Sequence, residues 1–276
     1  LNLTINQADT SYTNITSCDN VVWNGTTYDQ SGTYYSGSGG GSNNYSMSLD
    51  GASDEIVLGN NLNLNNEITI LTWINFEIGG TNDPRVISND YNSCNGFEFI
   101  TTGTGSQRQI LFHYNCSAGE SGWVSGNINI SANTWHHIAL VHNGQEASIY
   151  IDGVLDATNS SPAQLGTSNM PPIVGQRGDD LCRYKGSVDD LLIWNTALTQ
   201  SEIQSYMSCP PTGNEASLSG YWNFEQGSGT TAYDQTSNGN NGVINGATYN
   251  TNIPQQSCNL TSANGCDSTA ILNLTI

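Results

Sequence analysis

The segment from residue 134 to residue 155 constrains the fold more than any other part of the chain. Two runs in it place branched apolar residues at every second position, at Ile138 and Leu140 and then at Ile149 and Ile151. This is the period of a β-strand with one buried face. Asn143-Gly144 separates the runs and is typical of a type I′ hairpin turn, and Asp152-Gly153 supplies a second turn. The segment therefore predicts antiparallel strands joined by tight turns.

Short alternating runs separated by turn residues continue along the rest of the chain. They predict strands at 45–50, 55–58, 68–76, 97–100, 109–114, 135–142, 148–151 and 187–194. One helix is predicted over 199–207, because Thr199 and Glu202 form a capping box and Pro210-Pro211 ends it. Many short strands with turns between them predict an all-β sandwich.

The charge of the chain limits its partners. Only 5 residues are basic against 24 acidic, which gives a formal net charge of −19. Such a charge repels phosphate backbones, so we expect no nucleic-acid partner, whereas divalent cations are attracted. No apolar run reaches the roughly 18 residues that span a bilayer, so no membrane span is predicted.

The strand motifs resemble those of laminin-G-like and pentraxin-like jelly rolls, in the concanavalin A-like lectin/glucanase superfamily. One family motif, Trp-x-His followed by Tyr-hydrophobic-Asp-Gly, is matched at Trp135, His137 and 150–153. A second motif is matched at Asp189, Asp190, Trp194, Asn195, Leu198, Glu202 and Ile203. The segment 218–247 resembles a piece that many relatives carry at the start of the jelly roll. The resemblance implies a jelly-roll sandwich in a permuted arrangement.

The two ends of the chain carry the same five residues, at Leu1–Ile5 and Leu272–Ile276. We expect this repetition to mark one period of a longer repetitive protein. Short β-like runs occupy residues 1–36, and a Gly/Ser run that is typical of a flexible linker follows them. The predicted organisation is therefore a first half-repeat at 1–36, a jelly roll at 37–257 and a second half-repeat at 258–276.

The two flanks resemble the halves of a small cysteine-containing β-repeat found in very long surface proteins of Bacteroidetes-type bacteria. The matched positions are Cys18, 23–26, Tyr28, 31–34 and 264–276. This resemblance implies an extracellular, cell-surface adhesin or filament. Its partners would be neighbouring repeats of the same chain or other protomers.

No catalytic motif is present. Glucanases of the resembled superfamily carry Glu-x-Asp-x-x-Glu on one strand, which places carboxylates on one face beside the glycosidic bond. Here Glu98 is isolated, and Asp189 and Asp190 are adjacent, so a regular strand would point them to opposite faces. His137 and His142 would likewise face opposite sides. We therefore expect a protein that is not an enzyme.

A structural Ca²⁺ site is predicted near residue 234. The run from Asp234 to Gly239 places side-chain oxygens at positions 1, 3 and 5 and glycine at position 6, as oxygen-lined calcium loops do. In the resembled jelly rolls this turn and a strand aspartate help to hold Ca²⁺. The resemblance implies Asp234, Asn238 and Asp189 as ligands. The alternative is a plain Asx turn.

Seven cysteines in a lysine-poor chain indicate an oxidising compartment. We expect Cys18 to pair with Cys266, because they fall in the two halves of the small repeat. Cys209 and Cys258 bracket the segment that resembles a permuted piece and are expected to pair. Cys94 and Cys116 bracket a hairpin-like region and form a third predicted pair, which leaves Cys182 over.

Two functions remain open from the sequence. In the first, the chain is a repeat of an adhesin or filament whose calcium-stabilised, lectin-like domain binds surface glycans. In the second, it is a structural spacer without a ligand. An exposed aromatic platform, with Trp123, Tyr91 or Tyr184 as candidates, would favour sugar binding. Trp73, Trp135, Trp194 and Trp222 lie in strand motifs and are expected in the core. Arg177-Gly-Asp179 is expected to be an ordinary polar loop.

Overall fold

The computed structural model describes backbone and side chains for residues 43–256, apart from 61, 63, 65, 90–95, 116–121, 161–162, 167 and 180. In the flanks it describes the backbone of β1–β4 and β22. The elements, in chain order, are β1 (Asp9–Thr16), β2 (Val21–Trp23), β3 (Thr26–Tyr28), β4 (Gly32–Ser36), β5 (Ser46–Asp50), β6 (Glu55–Val57), β7 (Glu67–Phe76), β8 (Arg85–Ser88), β9 (Glu98–Thr102), β10 (Gln107–Asn115), β11 (Gly122–Ser125), β12 (Ile130–Ser131), β13 (His136–Asn143), β14 (Ala147–Ile151), β15 (Val154–Asn159), β16 (Ile173–Val174), β17 (Lys185–Trp194), α1 (Gln200–Ser208), β18 (Leu218–Trp222), β19 (Thr231–Ala232), β20 (Gly242–Asn245), β21 (Thr248–Asn250) and β22 (Ser268–Thr275).

The chain divides into two compact units. The larger one, the sandwich unit, comprises residues 43–207 and 212–255, and the flank unit comprises 1–42, 208–211 and 256–276. In the flank unit, β22 pairs in parallel with β1 and antiparallel with β4. Strands from both ends of the chain therefore lie in one sheet.

The sandwich unit consists of two sheets. The front sheet has nine strands in the order β11-β10-β9-β8-β16-β6-β20-β19, with β12 pairing to β10. The back sheet has eight strands in the order β15-β14-β13-β7-β17-β5-β21, with β18 pairing to β17. All pairs within both sheets are antiparallel. The all-β, jelly-roll prediction is confirmed.

The main core fills the space between the two sheets. Ile70, Ile138 and Leu140 from the back sheet and Phe99 and Phe112 from the front sheet belong to it, and all are essentially inaccessible to solvent. Their positions alternate along each strand, which places them on the face of each sheet that meets the other sheet. The apolar faces predicted from the sequence of the 134–155 segment therefore meet the front sheet.

A second apolar cluster covers the opposite face of the back sheet. Leu71, Ala139 and Leu192 occupy the alternate positions of their strands, and Ile203 of α1 packs in the same cluster. Helix α1 begins at the predicted capping box, because the Glu202 carboxylate accepts hydrogen bonds from the backbone N–H and hydroxyl of Thr199. The back sheet is thus buried on both faces.

The hairpin β13–β14 forms as predicted, but its turn differs from the predicted type. Among the turn residues only Gly144 has a positive φ, of 89°. Asn143 instead uses its side-chain oxygen to accept hydrogen bonds from the N–H groups of Gln145 and Glu146. The two central positions of the turn are therefore Gly144 and Gln145, rather than the predicted Asn143 and Gly144. Asp152 and Gly153, with φ of 51° and 75°, do form the second turn with two positive φ values.

The segment 218–247 completes both sheets. Its β20 pairs with β6 in the front sheet, and its β18 pairs with β17 in the back sheet. β21, which follows directly, pairs with β5 in the back sheet. The last strands of the sandwich unit therefore pair beside its first strands, and this is the strand arrangement expected of a permuted jelly roll.

Candidate functional site

One row of side chains crosses the outer face of the front sheet. Trp123 of β11 lies opposite His113 of β10, His113 lies opposite Glu98 of β9, and Glu98 lies opposite Ser88 of β8. The neighbours of these residues along each strand point into the core between the sheets. The row therefore faces away from the core, on the side of the front sheet that the back sheet does not cover.

The centre of this row is a charged network. The guanidinium of Arg85 donates to Glu98 from Nε at 3.2 Å and from Nη2 at 3.0 Å, and Nδ1 of His113 lies 3.2 Å from the same carboxylate. Burial alone would raise the pKa of Glu98, but the hydrogen bonds from His113 and Arg85 outweigh it and lower that pKa. Glu98 is therefore held as a carboxylate, and its side-chain partners here are a guanidinium and an imidazole rather than a second carboxylate.

Trp123 ends the row with an exposed indole ring. Its side chain is 46% exposed, while its backbone carbonyl accepts a hydrogen bond from Nδ2 of Asn159. An exposed aromatic ring can stack on a ligand, and its neighbour His113 is partly exposed, whereas Glu98 and Arg85 are buried behind them. Of the other suggested platform residues, Tyr184 is fully buried, so that suggestion was wrong, and Tyr91 lies outside the described residues.

The tryptophans of the strand motifs behave as two groups. Trp194 and Trp222 are buried, as predicted. Trp73 and Trp135 are half-buried rather than fully in the core, and Nε1 of Trp135 donates to the side chain of Asn252. Neither of these two stands in the outer row of the front sheet.

The strand histidines are bound by local contacts. His136 shares a hydrogen bond of 2.9 Å with the carboxylate of Asp152, which also accepts the N–H of His137. His142 contacts the carbonyls of Asn66 and Ala163 through its two ring nitrogens. These contacts explain the family motif in physical terms, because the motif aspartate ties the turn after β14 to the start of β13.

Asp234 closes its own turn. Its Oδ1 accepts the N–H of Tyr221 and Thr236, and its Oδ2 accepts the hydroxyl of Thr236 and the N–H of Asn240. Four donors pointing at one carboxylate satisfy it without a metal ion. Asn238 donates both amide hydrogens to the carbonyls of neighbouring strand β18. As folded, Asp234 and Asn238 form an Asx-type turn in which hydrogen bonds occupy the Asp234 carboxylate, and the calcium site stays a prediction.

Asp189 lies in different surroundings from Asp234. It is buried in β17, where it accepts hydrogen bonds from Nδ2 of Asn43 and from the N–H of Asp190. Burial and the neighbouring Asp190 carboxylate raise the pKa of Asp189 well above its usual range, and Glu225 adds to the effect. A cation at this buried carboxylate would offset the cost of burying it. The negative charge of Asp189 therefore favours a bound cation.

No hydrogen bond joins Asp189 to Asp234 or Asn238, so the described contacts do not link the three predicted ligands. Among the residues that the structure describes, no three His, Cys, Asp or Glu side chains form a group that could hold a metal ion. The strand also departs from regular alternation here, with a β-bulge between Asp189 and Leu192 and a φ of 44° at Asp190. The expectation of opposite faces for Asp189 and Asp190 assumed a regular strand and does not apply.

The Arg177-Gly-Asp179 tripeptide is internally paired. Nε of Arg177 donates to Oδ1 of Asp179 at 2.9 Å, and Nη2 donates to Oδ2 at 2.6 Å. Both side chains are largely covered. The two charges satisfy each other within the loop, so the tripeptide does not present them to a partner.

The cysteines that the structure describes are Cys182 and Cys209. Cys182 is a half-buried free thiol, as expected for the residue left over. Cys209 is disulfide-bonded. The other members of the predicted pairs (Cys18, Cys94, Cys116, Cys258 and Cys266) lie outside the described residues, so the pairing stays a prediction.

The charged network on the front sheet was not predicted from the sequence. Arg85, Glu98 and His113 lie on three strands, and their proximity depends on the order and register of those strands. A local signal does exist, because a charge within a buried strand requires a partner. The sequence alone does not say which strand carries that partner.

Two antiparallel sheets packed as a jelly roll, with a polar and aromatic outer row, define a lectin-like sandwich. The chain belongs to the concanavalin A-like lectin/glucanases superfamily, because the model of that family matches residues 50–204, more than half of the chain.

Two solved structures share this fold. A protein from Bacteroides ovatus that is described as carbohydrate binding superposes with a TM-score of 0.62 at 14% identity, over 78% of this chain and 62% of that one. The native heptameric SAP-like pentraxin of Limulus polyphemus superposes with a TM-score of 0.56 at 16% identity, over 76% of this chain and 95% of that one. At these identities the likeness shows the fold alone.

One relative shares sequence with part of the chain. The human adhesion G-protein coupled receptor D1 is 30% identical over 90 residues, which are 31% of this chain and 10% of the receptor. The chain therefore matches about a tenth of that receptor's length. In the described part of this chain, no helix has the length and apolar character needed to cross a membrane.

Proposed function

We propose that the sandwich unit is a non-catalytic, glycan-binding module of an extracellular, cell-surface adhesin or filament. The observation that carries the proposal is the exposed Trp123 beside the fixed Glu98–His113–Arg85 network on the outer face of the front sheet. Family membership supports it, as does the fold shared with a protein described as carbohydrate binding. Neighbouring repeats or other protomers would supply further partners.

The absence of catalysis is part of the proposal. A glycosidase needs one carboxyl as an acid and a second carboxylate as nucleophile or base. Glu98 is engaged by Arg85 and His113 and has a lowered pKa, which disfavours the protonated form that a general acid needs. We expect no release of reducing sugar from laminarin by the purified chain. Turnover that a Glu98→Gln substitution abolishes would contradict this part of the proposal.

A glycan array tests the binding function. The intact chain is expected to bind at least one glycan class, and Trp123→Ala is expected to lose that binding because the indole ring is the exposed apolar surface of the row. Tyr233→Ala is the matched control, since Tyr233 is 51% exposed and lies outside the row. Binding by wild type that Trp123→Ala retains would contradict the assigned face. An empty array for wild type would favour the structural spacer.

We also propose that Ca²⁺ stabilises the sandwich unit and binds at Asp189 rather than Asp234. The support is that the Asp189 carboxylate is buried beside Asp190, where a cation would offset the repulsion between the two, and that it accepts two hydrogen bonds whereas the Asp234 carboxylate accepts four. Ca²⁺ accepts irregular oxygen coordination, while Mg²⁺ requires a tighter octahedral shell. We therefore expect Ca²⁺ to stabilise the protein more than Mg²⁺.

Thermal melts of metal-stripped protein test the calcium proposal. At free Ca²⁺ of about 100 times Kd, binding adds about 2.7 kcal/mol, or a rise in Tm of roughly 5 to 10 °C. Asp189→Asn should remove the response to Ca²⁺, whereas Asp234→Asn should lower Tm equally with and without the ion. A wild-type Tm that is indifferent to Ca²⁺ would contradict the proposal.

A further inference from the structure

One histidine in the outer row of the front sheet keeps a ring nitrogen open to the outside. Both ring nitrogens of His142 contact carbonyls, and Nε2 of His136 accepts the N–H of Ser131 at 3.4 Å. His137 is buried. The side chain of His113 is 26% exposed, no described residue bonds to its Nε2, and the protein does not enclose that nitrogen. His113 therefore has a hydrogen-bonding atom to offer to a ligand.

The direction of this open nitrogen follows from the order of the strands. Nδ1 of His113 lies 3.2 Å from Oε2 of Glu98 on β9. β11, which carries Trp123, pairs with the other edge of β10. Nδ1 and Nε2 lie on opposite sides of the imidazole ring, so Nε2 is directed away from Glu98. The open nitrogen thus lies on the side of His113 that faces the exposed indole ring.

The carboxylate of Glu98 determines which nitrogen carries the hydrogen. Arg85 donates two hydrogen bonds to it, at 3.2 Å and 3.0 Å. Burial would raise the pKa of Glu98, but the bonds from His113 and Arg85 outweigh burial and lower that pKa. An ionised carboxylate can only accept hydrogen bonds, so Nδ1 of His113 is the donor. In the neutral ring, Nε2 is then left as an acceptor.

An acceptor at this position selects the chemistry of the ligand. Neutral Nε2 accepts a hydrogen from a hydroxyl or amide group, but it forms no hydrogen bond with a carboxylate or sulfate, which only accept. When the ring is protonated both nitrogens donate, and a bond from Nε2 to an anionic group is charge-assisted. Histidine side chains usually exchange these two states between about pH 5 and about pH 8.

The charges around His113 are balanced in the part of the chain that the structure describes. Glu98 faces His113 from β9 and is paired with Arg85 of β8, and Trp123 on β11 is uncharged. The charge of Arg177 also acts on Glu98, but Arg177 is ion-paired within its own loop. A proton on His113 therefore adds one positive charge to a group that is otherwise neutral.

We propose that His113 is a ligand-contacting residue that sets the specificity of the outer row, and that Glu98, held by Arg85, is the residue that positions it. In neutral solution, Nε2 accepts a hydrogen from a hydroxyl group of a ligand that stacks on Trp123. In weak acid the protonated ring donates instead, and the row then favours acidic ligand groups. The inference rests on the proposed function, because it places the ligand at Trp123.

Heteronuclear NMR of the intact, isotope-labelled chain tests the positioning step without a ligand. At about pH 7.5, His113 is expected as the Nδ1–H tautomer, with Nε2 unprotonated, and Nε2 should gain a proton by about pH 5.5. Glu98→Gln should remove the preference for one tautomer, because an amide can donate as well as accept. The wild-type spectrum is decisive even if this variant, which leaves Arg85 unpaired, fails to fold. An Nε2–H tautomer of His113 in the wild type would overturn the inference.

A glycan array read at about pH 7.5 and at about pH 5.5 tests the contact with the ligand. For wild type, the signal of carboxylated and sulfated glycans relative to neutral ones should rise about threefold to tenfold in acid, because a charge-assisted hydrogen bond is gained. His113→Phe keeps an aromatic ring and should not show this rise. His136→Phe is the matched control, since His136 also bonds to a carboxylate but its Nε2 is already occupied. It should behave as wild type does.

The outcomes of the array separate the inference from the proposed function. An equal rise in wild type and His113→Phe, or binding by wild type without any rise, would overturn the inference and leave the proposed function standing. An array without signal at both pH values would contradict the proposed function, and the inference would fail with it.

Discussion

His137 is a histidine that the fold keeps neutral. It is 2% exposed, packs edge-on against Trp73 with ring centroids 5.2 Å apart, and has no partner for Nδ1. Burial lowers the pKa of His137 to about 4, although the carboxylate of Asp152 opposes the shift. The unfolded chain accepts a proton near pH 6.5, so folding competes with protonation in weak acid.

A His137→Phe substitution should therefore reduce acid sensitivity. The contribution of neutral His137 to stability is complete above pH 6.5 and is lost as the pH falls towards about 4. Between pH 7 and pH 4 the wild type should lose about 3 kcal/mol more than the variant, whose ring retains the contact with Trp73. Urea denaturation at both pH values measures this difference. Parallel losses in the two proteins would contradict the assigned pKa.

Single residues also show where sequence-based prediction reached its limit. Asp234 was correctly recognised as a turn residue, but whether its oxygens face a cation or backbone N–H groups depends on neighbours such as Tyr221 and Asn240. Tyr184 looked like a platform candidate, and its burial depends on packing that no local pattern encodes. The residue types alone predicted a turn and an aromatic ring, but the environment of each residue could be known only from the three-dimensional fold.

At the scale of elements, the turn after β14 is joined to helix α1. The carbonyl of Gly153 accepts hydrogen bonds from the side chains of Gln200 and Gln204. Asp152 binds the other side of the turn to β13. The turn thus connects the back sheet to the helix that covers it. From the sequence, the Asp-Gly dipeptide predicted the turn but not its contact with the helix.

Gly153→Ala should cost more stability than Gly105→Ala. The two glycines have φ values of 75° and 74°, so an added Cβ causes similar backbone strain of about 1 to 2 kcal/mol in each. At Gly153 the Cβ would also lie 2.9 Å from Cγ of Gln204, whereas at Gly105 nothing lies within 4 Å. We expect about 1 kcal/mol of additional loss at Gly153 by thermal melting. Equal losses would show that the helix contact contributes nothing.

At the scale of the whole molecule, the alternating strands and the sandwich were predictable because periodicity is local. The order of the strands was not, and it is this order that brings Arg85, Glu98 and His113 together. The family resemblance supplied the architecture but not these three side chains. The flanks pair β1 with β22 across nearly the full length of the chain, a contact that the sequence indicated only through the resemblance to one small repeat.

The disulfide pattern is a prediction at this scale. Cys18–Cys266, Cys209–Cys258 and Cys94–Cys116 are the expected bridges, with Cys182 free. A bridge that closes a long loop contributes about 3 to 5 kcal/mol in the chain-entropy model. Peptide mapping under non-reducing conditions identifies the pairs. A peptide joining Cys18 to Cys209, or Cys182 to Cys266, would refute the scheme.

The predicted modular organisation leads to a second expectation for the whole chain. Residues 37–257 contain the complete sandwich core, so the excised segment should fold without the flanks. Calorimetry should show one cooperative melt for it, close to that of the sandwich unit in the full chain. A segment without a cooperative melt, beside a full chain that has one, would contradict an independent domain.

The central claim is that the outer face of the front sheet binds glycans through Trp123. The most direct measurement is the Kd of the glycan that gives the strongest array signal, for wild type, Trp123→Phe and Trp123→Ala. We expect Trp123→Ala to weaken binding about tenfold or more, which corresponds to ~1.4 kcal/mol, and Trp123→Phe to lose less because a flat ring remains. The same Kd for Trp123→Ala and wild type would contradict the account.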